Sequence, residues 1–356
     1  MAGHIEAAPS ERGKWMALIA ALLGWMFDGF EIGLFPLVGP AALDELLQSQ
    51  IAANPAIKSQ WFGVIMAVFL IGAATGGVLF GWLGDRIGRV RAVALSIPTY
   101  AIFTGLCGFA SEAWHIALLR FIASLGMGGE WALGVALVTE IWPDRSRAFL
   151  AGLIGAAANV GMLLVGLLSL GLVNFIDRLR ELMLNWGVSE ATRDYLLSGD
   201  GWRLLMIAGA LPAVLVFFIR LFVPESQKWE QERDRGGTSH WATRDLLGVL
   251  VGGAAAAAAI VVWSPAFEGF IHWLSPQPAD SSQSLAFSTP LRASLTVVGL
   301  AVALVGYIFP VMRYLRRAEI AGALAADKRR QYLGRMLLGA ALAGVALLGT
   351  WGSLQW

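Results

Sequence analysis

Gly81-Trp82-Leu83-Gly84-Asp85-Arg86-Ile87-Gly88-Arg89-Val90-Arg91 lies between two long apolar runs, residues 61–83 and 92–110. Three glycines, one carboxylate and a set of arginines in so short a connection do more than set topology. Gly81, Gly84 and Gly88 permit a tight helix-to-helix turn and close backbone approach. Asp85 and Arg89 stand four apart and can pair with each other or with a neighbouring helix end.

Composition agrees with a membrane setting. The chain has 356 residues, 57% hydrophobic and 14% charged, with mean hydropathy +0.65. Soluble domains carry about 25% charged residues. Net charge is +1, and no basic tract points to nucleic acid. Cys107 is the single cysteine, so no internal disulfide forms. The sequence has no metal-ligand spacing and no phosphate-binding glycine loop, so no cofactor is expected and ATP hydrolysis within this chain is not. A nucleophile–base arrangement is also missing, which argues against an enzyme.

A helical span needs about 20 mostly apolar residues. Nine runs qualify: residues 15–38, 61–83, 92–110, 115–138, 148–173, 202–222, 245–263, 293–312 and 336–356. The expected fold is an all-α polytopic membrane protein. Lysines and arginines concentrate in alternate connections, which sets the N-terminus inside. The inward segments hold Arg86, Arg89 and Arg91, then Arg145 and Arg147, then a dense set from Arg313 to Arg335. The outward segments hold only Lys58, Arg178, Arg180, Arg193 and Arg292.

The spans divide the chain into a cytoplasmic N-terminus (1–14), a six-span half (15–223), a cytoplasmic linker (224–244), a two-span insert (245–312), a basic cytoplasmic loop (313–335) and one further span (336–356). Residues 174–201 are read as a long external loop of mixed charge, and 264–291 as an external loop with Pro265, Pro276, Pro278 and Pro290. Six spans plus three do not make two six-span halves, so a longer parent protein is expected.

The G-x-L-x-D-R-x-G-R-x-R pattern of residues 81–91 resembles the loop signature of the major facilitator superfamily of transporters. Arg120-Phe121-Ile122-Ala123-Ser124-Leu125-Gly126-Met127-Gly128-Gly129-Glu130 resembles the R-F-x-x-G-x-G-x-G-G-E run of its carboxylate-handling members, with Ser124 in place of a glycine. Glu140, Pro143 and Arg147 resemble the junction between spans four and five. Gly201-Trp202-Arg203 and Pro224-Glu225-Ser226 resemble signatures that open and close span six in sugar porters. Asp28-Gly29-Phe30-Glu31 is similar to the span-one motif of aromatic acid:proton and sialate:proton symporters. The resemblance implies proton symport of a small organic anion by alternating access, in the plasma (inner) membrane, by a monomer whose partners are substrate, protons and lipid. A sugar or metabolite facilitator, or a non-transporting remnant, are the other readings.

Ionisable groups inside a bilayer are costly and mark pathways or pairs. At about 1.5 Å per residue, Asp28, Glu31 and Arg120 fall at similar depth. Asp28 or Glu31 would accept a proton, and Arg120 would tune it or hold the substrate anion; a permanent ion pair between spans one and four is the structural alternative. Glu130, nearer the cytoplasmic face, is a candidate relay or packing contact. Asn159 is a candidate hydrogen-bonder to substrate. Trp25, Phe30, Phe35 and Trp131 could stack on a ring. The resemblance implies a cytoplasmic gate network from Gly81, Gly84, Asp85, Arg86, Gly88, Arg89, Glu140, Arg147 and Glu225.

Overall fold

A computed structural model describes residues 11–142, 144–215, 219, 222–234, 242–263, 267, 281–322 and 324–354. Pro143, Pro265, Pro276 and Pro278 lie outside the described residues, as do parts of the sixth span, the linker and the 264–291 segment. The described residues are α-helical with short 3-10 turns: α1 Glu11–Leu46, α2 Gln48–Ala53, α3 Ala56–Ile87, α4 Arg89–Leu106, α5 Ala113–Ile141, α6 Asp144–Asn185, α7 Glu190–Ala208, α8 Gln227–Asp234, α9 Leu246–Val262, α10 Ser281–Ile320 and α11 Ala326–Leu354.

Seven helical stretches among the described residues are long and apolar enough to cross a membrane, against nine expected. The other two expected spans, 202–222 and 336–356, each include residues outside the described ones, and the count of seven is of the described residues alone. In the first, α7 ends at Ala208 and a 3-10 turn, Leu211–Val214, follows; the second lies on α11.

The connections are also more helical than expected. α6 runs on to Asn185 and α7 starts at Glu190, so residues 174–201 are two helix ends with a short turn. Arg180 and Asp194 pair across that turn at 2.8 Å. α10 begins at Ser281, inside the expected 264–291 loop. The 313–335 loop is mostly the end of α10 and the start of α11, tied by Arg329 and Glu319 at 2.8 Å. The linker carries α8, whose Ser226 hydroxyl accepts from the Trp229 N–H at 3.1 Å. In each case, polar composition marked exposure to water rather than absence of a helix.

Close helix crossings explain several glycines. Gly72 and Gly76 of α3 lie against the carbonyls of Phe121 and Leu125 of α5, where any Cβ would collide. Gly29 meets Ala158, and Gly161 meets Met26 and Phe30, so α1 and α6 cross backbone to backbone. Gly248, Gly252 and Gly306 do the same for α9 and α10. This helix pair packs on α3, where the Thr75 and Tyr307 hydroxyls lie 2.8 Å apart.

The core forms three apolar clusters, a small one of Leu18, Ala21, Val138, Leu150 and Ile154 and two larger ones. One holds Ala17, Ile32, Val93, Ile97, Ala123, Met127, Leu133 and Leu137. The other holds Leu34, Phe35, Val38, Leu43, Ile65, Ile116, Trp202 and Met206. Along α1 and α5 they meet at the level of Glu31 and Arg120.

Candidate functional site

Asp28, Glu31, Arg120 and Glu130 are all at most 2% exposed. They come from α1 and α5, the helices whose small residues let the bundle close around them. The Arg120 Nη1 donates to Glu31 Oε1 at 2.9 Å, and Thr104 of α4 donates to the same oxygen at 3.1 Å. The guanidinium lies between the rings of Phe35, at 4.6 Å, and Phe69, at 4.7 Å. Such cation–π contacts hold a planar cation in an apolar setting. Arg120 Nε and Nη2 make no hydrogen bond within the described protein. One edge of the guanidinium therefore serves Glu31, and the other is buried without an acceptor among the described residues.

Asp28 lies one helical turn from Glu31, inside the same bundle. Its charged neighbours are the carboxylates Glu130 and Glu31, and its polar neighbour is Trp131. Glu130 of α5 packs over Gly24 of α1, the only kind of residue that leaves room for its carboxyl group there. Residues 24, 28 and 31 share one face of α1. The buried charges thus descend in three steps along it: Glu31 with Arg120, then Asp28, then Glu130. A small cavity of about 20 Å³, lined by Glu130 with Ala17, Ala20, Ala21, Leu137, Ile219 and Val223, continues past the last step. That volume is enough for about one water.

The structure brings together the four ionisable residues expected from the sequence, but not Asn159. Asn159 is exposed on α6, although its neighbour Ala158 touches Gly29. Trp25 and Trp131 pack against each other with ring centroids 5.9 Å apart. Phe35 stacks on Phe62 at 5.4 Å as well as facing Arg120. Phe30 is half-buried.

The 81–91 segment makes the second polar cluster. Arg89 pairs with Asp85 at 2.7 Å and with Glu140 at 3.2 Å, joining α3, α4 and α5. Gly88 adopts φ 111°, a left-handed conformation suited to glycine, and lies against Glu225. Glu225 accepts from the backbone N–H of Val90 at 3.0 Å and so caps the start of α4. Trp229 donates its indole N–H to the Asp85 carbonyl at 2.8 Å. Arg147 donates to the Trp142 carbonyl at the end of α5 at 3.0 Å. Two members behave differently from expectation: Arg86 lies over the Trp82 ring at 4.5 Å, outside the ion-pair network, and Gly81 has open space where a Cβ would be, so no close approach requires it. Gly84 does face a close neighbour, Leu133.

Sequence reasoning missed a third cluster at the other end of the bundle. Arg203 Nη2 donates to Glu45 Oε1 at 2.7 Å, and Trp202 Nε1 donates to Glu45 Oε2 at 2.9 Å. Arg203 Nη1 also reaches the carbonyls of Ala110 at 2.8 Å and Gly108 at 3.2 Å. The break in α7 makes this possible: Gly199, Asp200 and Gly201 all have positive φ, and the turn brings Ser198, Trp202 and Arg203 around one carboxylate.

Comparison with known proteins follows the same lines. The family described as Major Facilitator Superfamily matches residues 15–356. A sialic acid transporter of Escherichia coli is 28% identical over 217 residues, covering 61% of this chain and 45% of that protein. A niacin transporter of Acinetobacter baylyi is 28% identical over 240 residues, covering 67% and 47% respectively. The chain spans about half the length of the curated relatives it matches. Among solved structures, a bacterial homologue of the human lysosomal transporter Spinster, inward-facing, aligns with TM-score 0.53 at 17% identity, over 95% of this chain and 81% of that one.

Proposed function

Because this chain belongs to the major facilitator superfamily, we propose that its parent function is secondary active symport of a small organic anion with protons. The chain supplies the six-span N-terminal half (15–223), a two-span insert (245–312) and one further span. It is a monomer of the inner membrane with the N-terminus in the cytoplasm.

The observation that carries this reading is the buried Glu31–Arg120 pair, with the Nε–Nη2 edge of Arg120 buried and without an acceptor among the described residues. While Glu31 is ionised, it neutralises Arg120. A proton on Glu31 removes that partner and leaves a buried cation able to grip a carboxylate substrate in a two-pronged manner. Substrate anion and proton then enter together, since neither arrangement strands a lone charge in a dry site. Asp28 and Glu130 carry the proton inward. At the cytoplasmic end, the Asp85–Arg89–Glu140 network, with Glu225 and Arg147 at the helix ends, opens and closes the inner mouth.

Relatives named for sialic acid, niacin and cis,cis-muconate supply the probes. The experiment is uptake of these three labelled acids into proteoliposomes under an imposed pH gradient, with counterflow as the gradient-free control. Asp28→Asn is expected to abolish accumulation and to keep exchange. Accumulation equal to wild type in that variant removes Asp28 from the coupling path.

A further inference from the structure

Glu130 occupies a place that α1 leaves for it. Gly24 has no side chain, and a Cβ there would collide with the Glu130 carboxyl group. The carboxyl therefore sits where a Gly24 side chain would be. Asp28 follows four residues on, and side chains at that spacing start about 5–6 Å apart on one helix face. Glu130 is 2% exposed, and its Oε2 makes no hydrogen bond among the described residues. The titratable groups facing it are Asp28 of α1 and Tyr100 of α4, while the segment beyond α7 contributes the apolar Ile219 and Val223.

A second place lies next to the first. The cavity of about 20 Å³ that Glu130 lines is also lined by Ala17, Ala20 and Ala21 of α1 and by Gly134 and Leu137 of α5. These residues succeed Gly24 and Glu130 toward the end of the bundle where Glu140 lies. The volume takes about one water, and a carboxyl oxygen is close to a water in size. A donor stands at the rim. Trp25 Nε1 is buried without an acceptor among the described residues, and it lies 3.6 Å from where a Cβ of Gly134 would be. A buried N–H with nothing to donate to is costly. A carboxylate in the cavity would supply the acceptor that this indole lacks.

We infer that Glu130 is a two-position proton carrier, seated over Gly24 in one position and in the alanine-lined cavity beside Trp25 in the other, with Gly24, Gly134 and Trp25 as its positioning residues. The inference rests on the proton-coupled reading above. A change of side-chain rotamer moves the carboxyl between the seats while both backbones stay in place. Over Gly24, the Glu130 carboxylate takes the proton that Asp28 releases, which leaves Asp28 ionised and Glu130 neutral. A neutral acid enters an apolar cavity at far lower cost than a carboxylate does. In the cavity, the O–H bond breaks and the proton passes to a water arriving from the inner mouth, which becomes hydronium. The Glu130 carboxylate accepts from the Trp25 N–H until it returns to Gly24.

The test uses the full chain in lipid nanodiscs and follows the infrared C=O band of protonated carboxyl groups, which needs no substrate. Glu130→Gln assigns the Glu130 band, and in the wild type that band should have two components, one for each seat. Gly134→Ala puts a methyl into the cavity at ordinary contact distance, 3.6 Å from Trp25 Nε1 and 3.9 Å from the Ala21 Cβ, so its fold is expected to persist. Only the component of the Gly24 seat should remain in that variant. After a rapid acid jump, its Glu130 should protonate on the order of 10²-fold more slowly. Gly24→Ala displaces the carboxyl and should leave only the other component. In NMR spectra, the Trp25 indole N–H signal, assigned by Trp25→Phe, should shift as Glu130 titrates and stay fixed in Glu130→Gln. A Glu130 band and rate unchanged by Gly134→Ala, or a Trp25 signal indifferent to the titration, overturns the two-position carrier. Should Gly24→Ala not fold, the Gly134→Ala and Trp25 results decide alone. A wild type in which neither Asp28 nor Glu130 gives a titrating band defeats the proton-coupled reading itself, a result distinct from a Glu130 band that titrates but ignores Gly134→Ala.

Discussion

Arg120 and Glu31 meet at 2.9 Å with side chains 1% and 2% exposed, in a layer where the two larger apolar clusters of the bundle touch. A pair so deeply buried is a weak source of net stability, but removal of one member strands the other.

Arg120→Ala is therefore expected to destabilise the chain by roughly 3–5 kcal/mol. Arg120→Lys keeps the charge and should fold, but a point charge cannot serve Glu31 and a substrate carboxylate from two edges of one plane. It should lose affinity for each probe acid that the wild type binds, with little change in thermal unfolding. Thermal unfolding in detergent and isothermal titration separate the two effects. Equal affinities for Arg120→Lys and wild type would remove Arg120 from the substrate site.

The second prediction concerns the opposite end of the bundle. Glu45 is exposed, while Arg203 is 5% exposed and also held by two backbone carbonyls. Glu45→Ala leaves Arg203 those carbonyls, so a loss of roughly 1–3 kcal/mol is expected. Arg203→Ala removes the ties to Glu45, Gly108 and Ala110 together and should cost more than Glu45→Ala. Chemical unfolding of both variants checks the order; an Arg203→Ala no weaker than Glu45→Ala contradicts the clamp.

Legibility from sequence differed among these clusters for physical reasons. Asp28, Glu31, Arg120 and Glu130 stood out because charge inside a 20-residue apolar run is expensive, so its presence is itself a signal. Asp85, Arg89 and Glu140 stood out through spacing and glycine content. Thr104 did not, because a single hydroxyl in an apolar run is cheap and common. The Glu45–Arg203 clamp was hidden because its partners lie far apart in sequence, and because the left-handed turn at Gly199–Gly201 is a conformation, not a composition. Helix ends were misread as loops at 174–201 and 313–335: mixed charge reports contact with water, while helices that leave the apolar layer keep their backbone hydrogen bonds and continue. Asn159 was selected by depth alone, and depth does not say which face of α6 a residue occupies.

The third prediction tests how the insert sits on the six-span half. Gly253 of α9 lies beside Thr75 and Tyr307, and the two hydroxyls are 2.8 Å apart. At its base, Asp245, 1% exposed, pairs with Arg317 and Arg313 of α10, which makes α9 and α10 one unit. A Cβ at Gly253 would lie 3.4 Å from Thr75 Oγ1, within disulfide reach, so with Cys107 replaced by Ala, Thr75→Cys combined with Gly253→Cys should form a disulfide under mild oxidation, seen as a mobility shift after cleavage of an engineered site in the 235–241 segment. Residues 246–263 and 293–312 carry no charged side chain, in keeping with a peripheral position. No cross-link at 75 and 253, alongside efficient cross-linking of α9 to α5, would place the insert elsewhere.

The last prediction concerns orientation. Basic residues concentrate at 86–91 and 313–335, and the bias of lysine and arginine sets such segments in the cytoplasm. α6 extends to Asn185, so Trp186, 73% exposed, tops a helix that has left the bilayer on the opposite side. Single cysteines at Arg91, Trp186 and Ile320, each in the Cys107→Ala background, place one probe on the external side and two inside. Ile320 is 77% exposed and Arg91 is exposed, so neither is shielded by packing. An impermeant maleimide added to intact cells should label position 186 within minutes, and positions 91 and 320 only after permeabilisation. Rapid labelling at 91 or 320 in intact cells reverses the orientation. It also turns the Asp85–Arg89–Glu140 network outward, so that the acid sequence from Glu31 to Glu130 would run toward the outside instead of the cytoplasm.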